Sequence, residues 1–389
     1  MTTTDHAAST LQAARELAPE IRDRALEGER LRTMPPDLAE RVEAAGLFAM
    51  CLPRALGGLE LDPVTIVRVT EELSYADGSA GWTVLIGGSS AFLAWLEPGV
   101  AGELLGDRPY AASTCMIAPS GRAVVDPAGV TVDGRWAFNS GVSHARVSQV
   151  GAVVMDGDRP RMLDGHGPDW RLAYFGTEQA RIVDTWDSAG LRGTGSHDLV
   201  VEGLRVPAEQ FVNPLFAAPR HDGPLWRFPF FANLNVTMMG FPLGVARRAL
   251  DEFVELARTK TRGPERLRVA DDRHVQMQLA VAEGGVQSAR AFAFDVLGEL
   301  WDTACAGDPL SDDQRARLSL AAQQAMRASV AAVDAVFRLA GAGAVYADQA
   351  LQRCFRDLHT ADGHTFVSAD VVTRYAKHRL GIAQPSFSF

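Results

Sequence analysis

The order in which helix-forming and strand-forming segments follow one another constrains the fold of this chain most. Residues 8–110 place apolar side chains at three- and four-residue spacing, which predicts amphipathic helices. Residues 111–212 change to short β-favouring runs separated by turn dipeptides such as Asp133-Gly134. From residue 213 onward a Pro- and Phe-rich crossing leads into long segments rich in Ala, Leu and Arg. The sequence therefore predicts an α+β protein in which helices flank a β segment on both sides.

Three domains follow from this order. We expect an N-terminal α-helical domain over 1–110, a central antiparallel β-barrel or sandwich over 111–212, and a C-terminal four-helix bundle over 213–389. The bundle helices are predicted over 238–260, 272–303, 312–339 and 348–377. With 389 residues the chain can bury a large core.

Composition and charge exclude several classes of function. The formal net charge of −10 argues against nucleic acid or an anionic membrane as a partner, and no apolar run approaches the length of a bilayer. The four cysteines are isolated, and the N-terminus lacks the build of a signal peptide, so we expect a cytoplasmic protein. No cluster has metal-ligand spacing, and neither a GxGxxG motif after a strand nor a P-loop occurs. We therefore expect no metal and no nicotinamide or nucleoside triphosphate site.

Four local strings occur in an informative order. They are residues 72–82 (ELSYADGSAGW), 134–141 (GRWAFNSG), 186–196 (WDSAGLRGTGS) and 356–364 (RDLHTADGH), the last after a Gly-rich break at 341–343. In this order and spacing the chain resembles the acyl-CoA dehydrogenase superfamily of flavoproteins across nearly its whole length. The resemblance implies the same order of domains as the periodicity does.

Two branches of that superfamily differ in one residue type. The dehydrogenases need a carboxylate to take the α-proton of the acyl substrate. The family places it either nine residues beyond the Arg-Asp pair, where this chain has Thr365 beside His364, or early in the first bundle helix, where it has residues 239–243 (MGFPL). The other branch comprises the oxygenase components of two-component flavin monooxygenases, such as hydroxyphenylacetate hydroxylase and dibenzothiophene monooxygenase. Neither position holds Asp or Glu, and the strings at 136–141 (WAFNSG), 193–196 (GTGS) and 356–364 (Arg-Asp, six residues, His) resemble this second branch.

Resemblance to the oxygenase branch implies a reaction and its partners. Such an enzyme accepts reduced FAD or FMN from a separate flavin reductase, adds O2 to form C4a-hydroperoxyflavin, and hydroxylates an aromatic or other electron-rich small molecule. It also implies a homotetramer in which neighbouring subunits complete the flavin site. FAD is favoured over FMN because Arg262 and the stretch from Gly341 to Gly343 match the adenine-side elements of the family.

The same resemblance assigns roles to individual residues. Ser140 is the expected hydrogen-bond partner of the flavin N5–H, and His364 is expected on the flavin face, where it protonates the peroxide or deprotonates a phenol. The remaining expected flavin-binding residues are Thr114, Met116, Thr194, Ser196, Arg262, Gly341 and Gly343. Beside His364, the expected substrate-binding residues are Trp82, Ser90 and His144.

Other interpretations of the same residues stay open at this point. Ser140 also suits a turn after a strand, His364 a hydrogen-bonded core histidine, and Arg262 a solvated helix end, while His359 competes with His364 for the flavin face. An acyl-CoA dehydrogenase-type desaturase could use Asp362 as its base. An amino-sugar-type N-oxygenase and a non-catalytic scaffold are further alternatives.

Overall fold

The computed structural model describes residues 3–384. The α-helices in this range are α1 (Thr3–Asp23), α2 (Ala25–Leu31), α3 (Pro36–Ala44), α4 (Pro63–Ala76), α5 (Gly78–Gly87), α6 (Pro98–Leu105), α7 (Phe230–Thr237), α8 (Gly240–Thr259), α9 (Arg273–Ala306), α10 (Asp312–Ala340), α11 (Ala350–Asp362) and α12 (Ala369–Arg379). The strands are β1 (Ala112–Asp126), β2 (Gly129–Asn139), β3 (Ala145–Asp156), β4 (Arg159–Pro160), β5 (Met162–Leu163), β6 (Gly167–Pro168), β7 (Trp170–Gly176), β8 (Arg181–Val183), β9 (His197–Val206), β10 (Phe211–Val212), β11 (Thr261–Arg262) and β12 (Leu267–Arg268). The predicted succession of helices, strands and helices is confirmed.

The central sheet is mixed, and the prediction of a wholly antiparallel β domain is wrong. Its strand order is β10-β7-β3-β1-β2-β9-β8, and β1 pairs with β3 in parallel. The parallel pair arises because β2 folds back along one edge of β1, after which residues 140–144 carry the chain to the other edge. Turn dipeptides predict the hairpins, but they do not predict that residues 140–144 cross from one edge of β1 to the other. Ser140 is the first residue of the crossing segment.

A buried tryptophan anchors the strand that leads to Ser140. Trp136 on β2 is fully buried, and its Nε1 donates a hydrogen bond of 2.8 Å to the carbonyl of Gly151. Gly121 and Gly134 lie against the indole, where a Cβ would collide with the ring. The end of β2 is therefore fixed relative to β1 and β3.

Helices α8 to α11 form the C-terminal bundle, with α10 in contact with the other three. Gly240 and Gly244 on α8 allow the close approach of α4, because a Cβ at either position would meet the backbone of Val67 or Glu71. Among the described residues, the segment Asp312–Val345, which contains α10, is long and apolar enough to cross a membrane. The expectation that no apolar run reaches that length was too strong. We interpret α10 as the core helix of the bundle, since α7, α8, α9, α11 and α12 all pack on it.

The last predicted helix, 348–377, is two helices. Helix α11 ends at Asp362, α12 begins at Ala369, and a 3₁₀ turn (Thr365–Val367) lies between them. The His364 side chain accepts a hydrogen bond of 3.4 Å from the backbone N–H of Phe366, which caps this turn. His364 therefore lies in a break between helices and not along a helix face.

Candidate active site

A mostly apolar cavity lies where the helical and β segments meet. Its walls come from α5, the 3₁₀ segment Gly88–Trp95, β1, α7 and the break between α11 and α12. The larger apolar side chains in these walls include Leu85, Ile86, Phe92, Ile117, Met238 and Phe366. The polar side chains that line it, among the residues that the structure describes, are Ser89, Asn233, Thr237 and His364. Within the described lining there is no carboxylate, so a base for α-proton abstraction is missing from it.

His364 places a neutral imidazole in this cavity. Its ring lies edge-on to Trp82 at a centroid separation of 5.6 Å and stacks on Phe366 at 5.6 Å and 27°. Although part of the residue remains accessible to solvent, burial of the ring lowers the pKa of His364 to about 4. At neutral pH the ring is therefore uncharged, and because Nδ1 accepts from Phe366, its proton lies on Nε2, which can donate a hydrogen bond.

Ser140 begins a chain of buried hydroxyl groups. The Trp82 Nε1–H donates to Ser140 Oγ over 3.1 Å, and Ser140 Oγ lies 2.8 Å from Ser196 Oγ. Ser196 Oγ lies 2.6 Å from Thr194 Oγ1, which in turn donates to the carbonyl of Leu191 over 2.9 Å. All three hydroxyl side chains are buried. We call Ser140, Ser196 and Thr194 the hydroxyl chain.

The carbonyl at its far end gives the hydroxyl chain a direction. A carbonyl oxygen can only accept a hydrogen bond, so Thr194 donates its hydroxyl proton to the carbonyl of Leu191. Ser196 must then donate to Thr194, and Ser140 must donate to Ser196. With the Trp82 N–H occupying one lone pair, Ser140 keeps one free lone pair and no free proton. Its hydroxyl can therefore accept one further hydrogen bond but cannot donate one, and Ser140 itself is not among the residues that line the cavity.

Trp82 connects this acceptor to the imidazole. Asp77 caps the start of α5 by accepting a hydrogen bond of 3.0 Å from the N–H of Ala80, which fixes the turn that carries Trp82. The indole also packs edge-on against Phe241 at 5.0 Å. One buried ring thus contacts both Ser140 and His364.

A cluster of buried charged residues holds the loop that contains Leu191 and leads to Thr194. Asp357 on α11 is 1% exposed, and its Oδ1 accepts a hydrogen bond of 2.6 Å from the N–H of Leu191. Leu191 has a left-handed φ of 52°, which is uncommon for a non-glycine residue, and this hydrogen bond fixes its backbone. The neighbouring Arg353 pairs with Asp77 at 3.3 Å. Asp357 lies close enough to Asp77 and Arg353 to be affected by their charges, and burial together with the charge of Asp77 raises the pKa of Asp357 to about 7.

This pKa makes the stability of the protein pH-dependent. Between its ordinary value of 3.8 and about 7, the Asp357 carboxyl is protonated in the folded state and ionised in the unfolded state. Unfolding then releases a proton, so stability falls as the pH rises, by about 1.4 kcal/mol for each pH unit. We expect Asp357→Asn, which cannot ionise, to gain melting temperature relative to the wild type as the pH goes from 5 to 8. Thermal unfolding of both proteins across that range measures the difference, and the exposed Asp362→Asn should show none.

The other predicted flavin and substrate residues lie at different distances from the cavity. Thr114 donates to the carbonyl of Ser140 over 3.0 Å, and Met116 lines the cavity. His144 instead contacts Thr33 Oγ1 at 3.1 Å, and the described cavity lining does not include it.

Ser90 also turns away from the cavity, because its hydroxyl donates to the carbonyl of Phe48. Ser89 and Phe92 line the cavity in its place. The cause is local: a 3₁₀ segment has three residues per turn, so Ser89 and Phe92 share one face.

Arg262 and the glycines at the end of α10 form a separate group. Lys260 donates to the carbonyl of Ala340 over 2.5 Å, and Arg262 donates to the carbonyl of Leu339. Gly341 and Gly343 lie beside these two side chains. Within the described subunit they cap the C-terminus of a helix, which favours the capping interpretation over a nucleotide clamp made by one subunit alone. The sequence reasoning missed Lys260, which precedes Arg262 by two residues.

The competing groups of the C-terminal string lie elsewhere. His359 pairs with Asp334 at 2.8 Å and packs on Phe355, and the cavity lining does not include it. Asp362 and Thr365 are exposed. His364 is therefore the histidine of this string that faces the cavity.

Comparison with known proteins places this geometry in a family. Residues 3–97 match the acyl-CoA dehydrogenase N-terminal domain, and residues 236–369 match the acyl-CoA dehydrogenase C-terminal domain. The chain is 34% identical to the indole-3-acetate monooxygenase of Pseudomonas putida over 89% of this chain and 88% of that protein. It is 28% identical to the flavin-dependent monooxygenase oxygenase subunit HsaA of Mycobacterium tuberculosis, over 92% of this chain and 91% of that subunit.

A solved structure agrees with these relatives. XiaF from Streptomyces, in complex with FADH2 and glycerol, superposes with a TM-score of 0.90 and 25% identity over 99% of this chain and 98% of that one. The match extends across helices, sheet and bundle alike. The chain therefore belongs to the acyl-CoA dehydrogenase family, within its branch of flavin-dependent monooxygenases.

Proposed function

We propose that this protein is the oxygenase component of a two-component system, which uses reduced flavin and O2 to hydroxylate an aromatic small molecule. The observation that carries the proposal is the pair of groups on Trp82: an acceptor hydroxyl at Ser140 and a neutral imidazole at His364, beside a cavity whose described lining holds no carboxylate. An oxygenase needs a dry cavity and a proton-transfer group but no α-proton base.

Different residues of the chain have different roles in this proposed reaction. Bound reduced flavin supplies the electrons that activate O2. The free lone pair of Ser140 would accept a hydrogen bond from the flavin N5–H, and Thr114 holds the backbone of Ser140 in place. The apolar walls exclude water, and His364 moves a proton between the reacting oxygen and the substrate hydroxyl or ring.

The aromatic character of the substrate has support from the cavity and from the relatives. Phe92, Phe366 and the sulfur atoms of Met116 and Met238 give an aromatic ring favourable contacts. An amino sugar, in contrast, would leave most of its hydroxyl groups without partners in such walls. The names of the relatives, indole-3-acetate monooxygenase and hydroxyphenylacetate hydroxylase, also point to aromatic compounds.

We further propose reduced FAD as the preferred flavin and a homotetramer as the working assembly. The FADH2 complex of XiaF supports FAD. Exposed apolar residues on the bundle support subunit contacts, among them Met277 and Val281 on α9 and Val345 and Tyr346 after α10. Since Arg262, Gly341 and Gly343 belong to a group apart from the cavity, we place their nucleotide contacts across a subunit interface. A separate flavin reductase supplies the electrons, and the unpaired cysteines support a cytosolic location.

An oxygen-labelling experiment tests the reaction. The protein is mixed anaerobically with chemically reduced FAD or FMN and an aromatic panel that includes indole and phenols, and ¹⁸O2 is then added. We expect a hydroxylated product carrying one ¹⁸O atom, detected by mass spectrometry, and less hydrogen peroxide than in a protein-free control. Quantitative release of hydrogen peroxide with every aromatic compound, with either flavin, would contradict the proposal.

A further inference from the structure

One hydroxyl in the cavity wall has no partner among the described residues. Ser89 is 7% exposed and lines the cavity, yet its Oγ makes no hydrogen bond with any described residue. Its own carbonyl is already used by Gln149 Nε2, at 2.9 Å. The adjacent Ser90 shows the usual solution, a hydrogen bond from its Oγ to the carbonyl of Phe48. A buried hydroxyl left unpaired is unfavourable, so Ser89 offers an unfilled position for a polar group of a guest.

The same cavity has no permanently charged side chain in its described lining. Among the residues that line it in the described part of the chain there is no lysine, arginine, aspartate or glutamate. Burial keeps its titratable groups neutral, because it lowers the pKa of His364 to about 4 and raises that of the Cys51 thiol to about 12. A carboxylate that entered would lose its water and gain no counter-ion, which disfavours it strongly.

We propose that this cavity selects an uncharged aromatic compound that carries one hydrogen-bonding group, a phenolic O–H or a heteroaromatic N–H, and that Ser89 Oγ binds this group. The proposal rests on the proposed function for the reaction but concerns binding alone. It separates this chain from a relative named for indole-3-acetate, whose substrate carries a carboxylate. Ser89 would determine specificity, while His364 and Ser140 would serve the chemistry.

A matched pair of ligands tests the charge preference. 3-Methylindole and indole-3-acetate share the ring and the substituted position, and only the second carries a carboxylate. We expect isothermal titration of the full-length protein near pH 7.5 to give a Kd about tenfold or more lower for 3-methylindole. An equal or lower Kd for indole-3-acetate, or no binding of 3-methylindole, would overturn the proposal.

A second pair of ligands tests Ser89 itself. Ser89→Ala should weaken the binding of indole by about fivefold, the typical effect of one neutral hydrogen bond. Binding of naphthalene, a bicyclic ring of similar size without a hydrogen-bonding group, should change less than twofold. The control Ser90→Ala should affect both ligands to the same extent. Equal losses for indole and naphthalene in Ser89→Ala would show that Ser89 acts through shape alone and would refute its assigned role.

These binding measurements are separable from the test of the reaction. If uncharged compounds bind as expected but no ¹⁸O enters any of them, the proposed hydroxylation fails while the selectivity stands. If indole-3-acetate is both bound and hydroxylated in preference to 3-methylindole, the selectivity fails while the hydroxylation stands.

Discussion

Replacing His364 by alanine should lower the rate of product formation by about 10²- to 10⁴-fold, the usual contribution of a proton-transferring side chain. His364 is the one titratable nitrogen base in the described cavity lining, so no neighbour can take over its proton transfers. Oxygen consumption with reduced flavin should continue, with hydrogen peroxide replacing the hydroxylated product. Reduced-flavin affinity should change by less than about threefold, because Ser140 and Thr114 are untouched. Product yield, hydrogen peroxide yield and anaerobic flavin titration together measure the effect.

His359→Ala is the matched control. It removes an imidazole from the same C-terminal string, but one that pairs with Asp334 outside the cavity. Coupled product formation should therefore stay within about twofold of the wild type. A His364→Ala protein that keeps its normal ratio of product to hydrogen peroxide would refute the assignment. Since the pKa of His364 is about 4, the wild-type rate should also show no inflection from this group between pH 6 and 8.

Replacing Arg353 by leucine should destabilise the protein by about 3–5 kcal/mol, because it leaves the buried carboxyl group of Asp77 without its ion-pair partner and removes a positive charge that acts on the buried Asp357. With an unfolding entropy of about 2.1 cal/mol/K per residue, 1 kcal/mol corresponds to roughly 1.2 °C in a chain of 389 residues. The melting temperature should therefore fall by about 4–6 °C at pH 8. Differential scanning calorimetry measures the shift.

Two further variants make this result specific to the buried charges. Adding Asp357→Asn to Arg353→Leu should restore part of the lost melting temperature, because Asp77 then no longer lies near a second buried carboxyl group. Arg338→Leu removes an arginine that is 79% exposed and pairs with Asp334 at 3.7 Å, and should shift the melting temperature by less than about 1 °C. Equal losses in Arg353→Leu and Arg338→Leu would contradict the charge argument.

The sequence predicted the large-scale architecture because periodicity and turn residues are local signals. Helices and strands follow one another as expected, and the strings around Ser140, Thr194 and His364 led to the family. The parallel pairing of β1 and β3 was missed, since it depends on which edge of β1 the chain reaches after the crossing at 140–144. The break at His364 was missed as well, because helical periodicity resumes after only a few residues.

Only the site residues that lie within a recognisable sequence motif could be predicted. Ser89 escaped notice because the expected spacing pointed to Ser90, and a 3₁₀ segment shifts that register by one residue. Arg353 looked like an ordinary residue of a helical segment, and only the tertiary structure shows that it pairs from α11 with the buried Asp77. The unpaired hydroxyl of Ser89 and the closeness of Asp77 to Asp357 depend on the tertiary packing, so a local sequence pattern does not predict them.

The orientation of the hydroxyl chain also bears on how spent cofactor leaves. Oxidised flavin has no hydrogen on N5, so its lone pair would face the lone pair of Ser140. Reversing Ser140 to offer a proton would break its bond to Ser196 and leave a buried acceptor unfilled. In the proposed complex the pocket would therefore bind reduced flavin more tightly than oxidised flavin, and the direction of the hydrogen bonds in the hydroxyl chain would promote release of oxidised flavin to the reductase.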